Sequence, residues 1–428
     1  MNSTIEIGIF IAGFVIGAFL NYAIYAWAYF PRAIAPWQRR AEGLPPLPSA
    51  AYLPVFGWLF RRGESAKWGR GFWIRPMVIE ALMPLLLVAL YRAMMDGLTI
   101  PLSIRVSADG LPAGGGGITA TELRIQFLAY SAMFSLLTVA SFIDLDERSI
   151  PDAITMPGTW LGVIMSLGLP GWTLWEVPAS RSISFAPVLE PMHANSPHAW
   201  DTGWDQLGFR GAGLWIGLLI WWIWCFSFGN LRWIARRGIR KAFAYAWAGF
   251  WRSPNLRLIF AMWLVGTLLI GASYAWLPAE RWRQLFSSLM GIGLGGLLPW
   301  SFRIVSCWVM QREALGFGDV TLMAMVGAHF GWQIAYLAFF LAPIFGIALG
   351  IAYWTLTRDA AIPFGPFLAS ATAYLMLDWA RVWDVTSMFF LPLNFSLLFL
   401  AGMLVLLGSL LWSVQSLKVL LDGRWSGA

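Results

Sequence analysis

Eleven apolar runs divide the chain, at about residues 8–29, 77–95, 126–143, 154–170, 211–229, 258–276, 285–308, 319–331, 333–356, 363–379 and 392–415. A helix that crosses the hydrocarbon core of a bilayer needs roughly 20 apolar residues. The runs therefore predict an all-α fold, a polytopic transmembrane helical bundle of about 9–11 spans. The 319–331 run is short and is read as partly re-entrant. Composition points the same way: 59% of residues are hydrophobic and 12% charged, against about 25% charged in a soluble domain. Too little charge remains to cover a water-facing surface, which excludes a soluble enzyme, a disordered chain and a coiled coil. The 28 Trp are expected at two membrane–water interfaces. The first run is not expected to be a signal peptide: no basic residue precedes it, it carries Glu6, and it continues through Ala26 and Trp27 without a cleavage-like stop.

Lys and Arg in the loops set the orientation. Loop 30–76 holds Arg32, Arg39, Arg40, Arg61, Arg62, Lys67, Arg70 and Arg75 against Glu42 and Glu64. Loop 230–257 holds Arg232, Arg236, Arg237, Arg240, Lys241, Arg252 and Arg257 and no acid. Both are expected in the cytoplasm, with the nearly balanced loops 96–125 and 171–210 outside. The N-terminus is then outside and the C-terminus, with Lys418 and Arg424, cytoplasmic. The formal net charge of +7 reads as topology and attraction to anionic membrane lipids, with no nucleic acid as partner.

This orientation brings three unusual segments to cytoplasmic helix ends: Asp144–Asp152, Gly316–Asp319 and Ile362–Pro366. Asp144 ends a long apolar run, and an ionisable group at membrane depth is costly and usually functional. Asp146 is two residues on, so it does not share a helix face with Asp144. Asp146, Glu147 and Asp152 read as acids of a solvated loop, and Pro151 suits the first turn of the next helix. Gly316 and Gly318 let the backbone turn sharply and pack closely. Asp319 then opens an apolar helix, where it would also serve as an N-terminal cap.

Two nearby carboxylates cannot both ionise easily, so such a pair holds one proton. One member can take a proton from water while the other polarises a carbonyl. That is peptide hydrolysis with neither a metal nor a covalent intermediate. No HExxH or Walker loop is present. His193, His198 and His329 are scattered, and Cys225 and Cys307 lie in apolar runs, so no metal site is expected.

These residues resemble the type IV prepilin peptidases, the bacterial branch of the GxGD aspartyl peptidases. Ile143-Asp144-Leu145-Asp146, then Ile150-Pro151-Asp152 and Thr155, resemble the first-aspartate block. Leu315-Gly316-Phe317-Gly318-Asp319-Val320, then Leu322, Gly327 and Gly331-Trp332, resemble the GxGD block. Ile362-Pro363-Phe364-Gly365-Pro366-Phe367-Leu368 resembles the late Pro-Phe-Gly-Pro segment. Gly17-Ala18-Phe19-Leu20-Asn21, Leu53–Trp58 and Arg75–Glu80 sit where the family has its first helix, first loop and following helix.

The resemblance implies one integral membrane peptidase domain over 1–428, in the cytoplasmic (inner) membrane, with its active site facing the cytoplasm. Asp144 and Asp319 would be catalytic, and Gly316, Gly318, Pro151, Pro363, Gly365 and Pro366 would support the motifs. The implied substrates are type IV prepilins or type II secretion pseudopilins: a short basic leader ending in Gly, then a hydrophobic helix. Proteolysis needs no cofactor. Relatives often also methylate the new N-terminus with S-adenosylmethionine, an activity associated with the first loop.

The chain departs from the family pattern in three places. Loop 30–76 has none of the CxxC pairs that many relatives carry there, so zinc is not expected and methylation stays open. Thr321 replaces a lysine usual two residues after the second aspartate. Residues 171–284 read as an insertion with two extra spans, and 379–428 add another. Without cysteines, the first loop is expected to be ordered by packing beside the two aspartates. Within the spans, Asn21 suits an interhelical hydrogen bond, and Glu80 is either a partner of Arg75 or a substrate-facing acid. Gly13/Gly17, Gly213/Gly217, Gly291/Gly295 and Gly346/Gly350 have the spacing of helix-packing faces. A transporter or channel relaying protons or cations through buried acids is the alternative; it calls for midplane acids and repeated halves. An inactive scaffold of the same fold is a third reading.

Overall fold

The computed structural model describes residues 3–38, 46–96, 120–169, 175–176, 190–191, 211–229, 239–310, 315–357 and 363–390, with short helical pieces between 398 and 413. Among them the order is α1 (Ser3–Ala26), α2 (Ile74–Met95), α3 (Ala120–Glu147), α4 (Asp152–Gly168), α5 (Ala212–Ser227), α6 (Ile239–Trp251), α7 (Leu256–Trp276), α8 (Ala279–Met310), α9 (Phe317–Phe330), α10 (Trp332–Thr357) and α11 (Gly365–Phe390). Trp175–Glu176 pairs antiparallel with Glu190–Pro191, a two-residue ladder that hydropathy does not announce. The rest of loops 96–119 and 171–210, with His193 and His198, lies outside the described residues, as do Ile362 and most of the 392–415 run.

The expected polytopic helical bundle is found. Among the described residues six helices are long and apolar enough to cross a membrane: Ser3–Ala26, Ile74–Met95, Leu123–Glu147, Leu256–Trp276, Arg281–Val309 and Trp332–Ile351. Ala212–Ser227 and Phe317–Phe330 are apolar but shorter. Loop 230–257 contains α6; its apolar stretch, Ala242–Trp251, follows Arg240 and Lys241 and is too short to stand out as a span. The tryptophans are not confined to interfaces. Trp221, Trp379 and Trp383 are among the largest fully buried side chains, and Trp221 donates to the Met262 carbonyl (3.3 Å) and meets Trp160 edge-on.

Helix α9 forms the centre. Every residue from Asp319 to Phe330 is buried, and α4, α8 and α10 pack around it, with α3 and α11 reaching it as well. Small residues permit this closeness. Gly291 of α8 and Gly327 of α9 meet backbone to backbone, so a Cβ on either would strike the other's carbonyl. Gly162 of α4 would place a Cβ 2.8 Å from His329 Nδ1. On the other side, Gly13 and Gly17 of α1 face Pro84 and Glu80 of α2. Without a hydrophobic drive between helices in lipid, such close van der Waals contact is what holds them together.

The first loop folds into two 3-10 segments, Ser49–Tyr52 and Phe56–Glu64, and one turn of α-helix, Ser65–Trp68. An ion pair organises it, where packing alone was expected. Arg61 and Glu64 are 4% and 5% exposed. The guanidinium makes two parallel bonds to the carboxylate (3.1 and 2.8 Å) and donates to the Ile34 carbonyl. Trp68 Nε1 donates to Glu64 (3.2 Å), and the rings of Trp58 and Phe72 lie 5.0 and 5.9 Å from the guanidinium. A second tie joins the loop to the spans: buried Glu80 accepts from Asn21 Nδ2 (3.0 Å) and from the Val55 N–H (2.7 Å). Asn21 thus makes the expected interhelical bond, while Glu80 fills neither expected role.

Candidate active site

Asp144 lies in the last turn of α3 and is 5% exposed. Its Oδ2 accepts the Gly365 N–H at 3.0 Å, across 221 residues of chain. Gly365 opens α11, where the first backbone N–H groups have no partner within the helix and turn readily to a carboxylate. A Cβ at Gly365 would stand 2.5 Å from that same oxygen and 3.0 Å from Ile150 Cδ1, so only glycine fits. Pro363 and Pro366 flank this contact and bracket a helix start, where a missing N–H costs little. The irregular point of α11 is Asp378 instead, and the helix continues to Phe390.

Asp319 stands in the first turn of α9, 7% exposed. Its Oδ2 accepts the N–H of Gly316, the residue at the helix cap, at 3.1 Å. The capping role and the functional candidacy thus fall on one side chain. Gly318 packs so closely that a Cβ would lie 2.9 Å from Ile150 Cβ. Gly316 is different: its φ of −70° is ordinary and an added Cβ would meet nothing nearer than Asp319 Oδ2 at 3.5 Å. The sharp turn expected of both glycines belongs to neither, and only Gly318 is required by space.

Ile150 joins the two halves. It is buried and touches both Gly318, beside Asp319, and Gly365, bonded to Asp144. Pro151 follows as the cap of α4 with φ −69° and ψ 141°, one residue earlier than the first turn expected of it. Asp144 and Asp319 are near enough for the charge of one to act on the other. The second charge acting on Asp319 is Arg303 of α8, whose guanidinium lies 5.6 Å from the Phe317 ring. A cation arriving from another helix leaves no local signal in the sequence, whereas the lysine absent at 321 does. Thr321 instead donates its hydroxyl to the Gly318 carbonyl (3.1 Å).

Asp146 and Glu147 are not simply solvated loop acids. Both belong to α3 and turn away from Asp144 toward α1 and α2. Asp152 opens α4 beside Tyr29.

Two buried carboxyl groups at adjoining helix ends can divide one proton between them and serve as acid and base toward a water molecule. Among the described residues no three His, Cys, Asp or Glu side chains are grouped to hold a metal ion. A recess of about 450 Å³ lies at the loop's edge, lined by Phe14, Val15, Ala18, Phe19, Tyr22, Trp37 and Pro54. It offers no carboxylate for ribose hydroxyls and no partner for an amino-acid head group. This lining does not fit S-adenosylmethionine.

The model of the type IV leader peptidase family matches residues 131–189 and 254–351. The first stretch carries Asp144 and the second Asp319. Three similar relatives are each named a prepilin leader peptidase/N-methyltransferase. That of Pseudomonas putida is 30% identical over 121 residues, 28% of this chain and 39% of the relative. That of Pseudomonas aeruginosa is 38% identical over 99 residues, 22% of this chain and 34% of the relative. That of Stutzerimonas stutzeri is 36% identical over 99 residues, with the same two shares, 22% and 34%. The chain therefore spans less than two fifths of the length of these relatives. No solved structure matches it. The resemblance read from the motifs is borne out by the family model and by these relatives.

Proposed function

We propose, from this likeness to the type IV leader peptidase family, that the protein is a membrane aspartyl endopeptidase acting on prepilin-like substrates. One observation carries the reading: the two stretches similar to leader peptidases each bring a buried aspartate to one place, around Ile150 and Gly365. The ionised carboxyl takes a proton from water, and the resulting hydroxide equivalent adds to the scissile carbonyl. The protonated carboxyl donates to the carbonyl oxygen. As the tetrahedral intermediate collapses, a proton passes to the departing amine, and the dyad regains its single shared proton. Their separate ionisations belong to the pair jointly. The Gly365 N–H holds the Asp144 side chain at a fixed angle, and the Gly316 N–H does the same for Asp319.

The substrate class is a basic leader ending in Gly followed by a hydrophobic helix, from a pilin or a type II secretion pseudopilin. The basic residues of loops 30–76 and 230–257 support a site at the cytoplasmic face of the inner membrane. Methylation of the new N-terminus is carried to this chain by the relatives' names alone. The test is incubation of the purified full-length protein with a prepilin-like peptide, followed by mass analysis. Cleavage after the leader Gly supports the reading, and intact peptide with folded protein overturns it. Added methyl mass, with S-adenosylmethionine in excess, reports the second activity separately.

A further inference from the structure

The end of α3 is electrostatically awkward. Asp144, Asp146 and Glu147 crowd its last turn, and that turn carries no basic residue. Carboxylates at a helix C-terminus oppose the helix dipole. The turn is also conformationally awkward. Arg148 closes it with φ +54° while donating its N–H to the Asp144 carbonyl at 2.8 Å. Side chains other than glycine seldom adopt that backbone, and it persists where neighbours fix it.

The neighbours come from α1, the chain that follows it and the start of α2. Arg75, at the start of α2, makes a forked pair with Asp146: Nη1 to Oδ1 at 2.8 Å and Nη2 to Oδ2 at 2.9 Å. Arg32 adds a third bond to Oδ2 at 2.9 Å. Arg75 also donates to the Tyr25 hydroxyl (2.9 Å), and both guanidinium groups lie over the Tyr25 ring, at 5.1 and 5.4 Å. Phe142, two residues before Asp144, presents its ring to Arg75 at 5.4 Å. Glu147 takes the backbone N–H groups of Tyr29 and Phe30, at 2.8 and 3.0 Å. The same strand of chain is held further along by Arg61 on the Ile34 carbonyl.

We infer that Asp146 and Glu147, gripped by Arg75, Arg32 and the 29–30 backbone, form a clamp through which the N-terminal helices set the position of Asp144. The inference rests on the peptidase reading. Asp146 is then a positioning residue: it touches no reacting atom, and it fixes the turn that aims the Asp144 carboxyl. Forked guanidinium–carboxylate pairs constrain direction as well as distance, which a single exposed ion pair does not.

The test measures cleavage of a prepilin-like peptide by the full-length protein, normalised to folded enzyme. Asp146→Asn and Arg75→Gln are each expected to lower kcat about tenfold or more, since small displacements of reacting groups cost rate, with KM changed less than about twofold. The double variant should be no worse than the poorer single one, because both remove the same contact. Arg75→Lys keeps the charge and loses the fork, so it should recover only part of kcat. Unchanged kcat in both single variants, or fully additive losses, would overturn the clamp while leaving the peptidase reading intact. If Asp146→Asn does not fold, Arg75→Lys decides: full activity there makes the contact merely structural and ends the proposal. A wild-type protein that cleaves nothing overturns the peptidase reading, and the clamp's role with it.

Discussion

A carboxyl pair that divides one proton fails when either member becomes an amide. Asp144→Asn and Asp319→Asn are each expected to reduce cleavage by about a thousandfold or more, with unchanged protein in the membrane, read by peptide mass and immunoblot. The glycines make a sharper test. Gly318→Ala drives a carbon to 2.9 Å from Ile150 Cβ, and Gly365→Ala drives one to 2.5 Å from Asp144 Oδ2; both should lose most activity. Gly316→Ala meets only ordinary contact at 3.5 Å and should stay near wild type. Equal damage at 316 and 318 would refute the packing argument. Both aspartates were legible because an acid bordering an apolar run is conspicuous in one dimension. Their contacts were not. Ile150 and Gly365 stood in the motifs without any sign of what they touch, Arg303 arrives from another helix, and glycine in a motif does not say whether space or conformation requires it.

Helices were legible wherever apolar residues ran long, because burial in lipid and burial in protein both demand the same composition. That equivalence also limits what composition alone can say of a ring or a short helix. The tryptophan content suggested interfaces, yet Trp221, Trp379 and Trp383 are fully buried; an aromatic ring serves a helix contact as well as a headgroup layer. The short α9 looked re-entrant by length, and its shortness goes with complete enclosure by neighbouring helices. The Gly291–Gly327 contact is the point on which that enclosure depends. Gly291→Val forces α8 and α9 apart and is expected to destabilise the protein by about 1–3 kcal/mol or more, measured as a lower unfolding temperature in detergent. Gly271, whose added Cβ would meet nothing within 4 Å, is the control, and Gly271→Ala should leave that temperature nearly unchanged. Equal shifts at the two sites would show that helix propensity, not close approach, governs them.

On the scale of the whole molecule, the first loop needs an organising centre, since a long loop without regular structure is otherwise functional or disordered. The missing cysteines were plain in the sequence; the substitute was not, because Arg61 and Glu64 look like two more charges in a basic loop. Their mutual burial with Trp58 and Trp68 makes them a core in miniature. Removing one partner of such a pair leaves an uncompensated buried charge, a loss of roughly 3–5 kcal/mol. Replacing both with apolar residues of similar volume removes the desolvation cost along with the attraction and is often nearly neutral. Arg61→Met alone should therefore expose the loop to limited proteolysis, and Arg61→Met with Glu64→Leu should restore much of its protection. Because Arg61 also holds the Ile34 carbonyl, and the chain just before it bonds Glu147, the single variant should lower cleavage together with protection. The double variant should recover protection more than cleavage, since the bond to Ile34 stays broken. Proteolysis that is equally slow in wild type and single variant would mean that the buried pair does not order the loop.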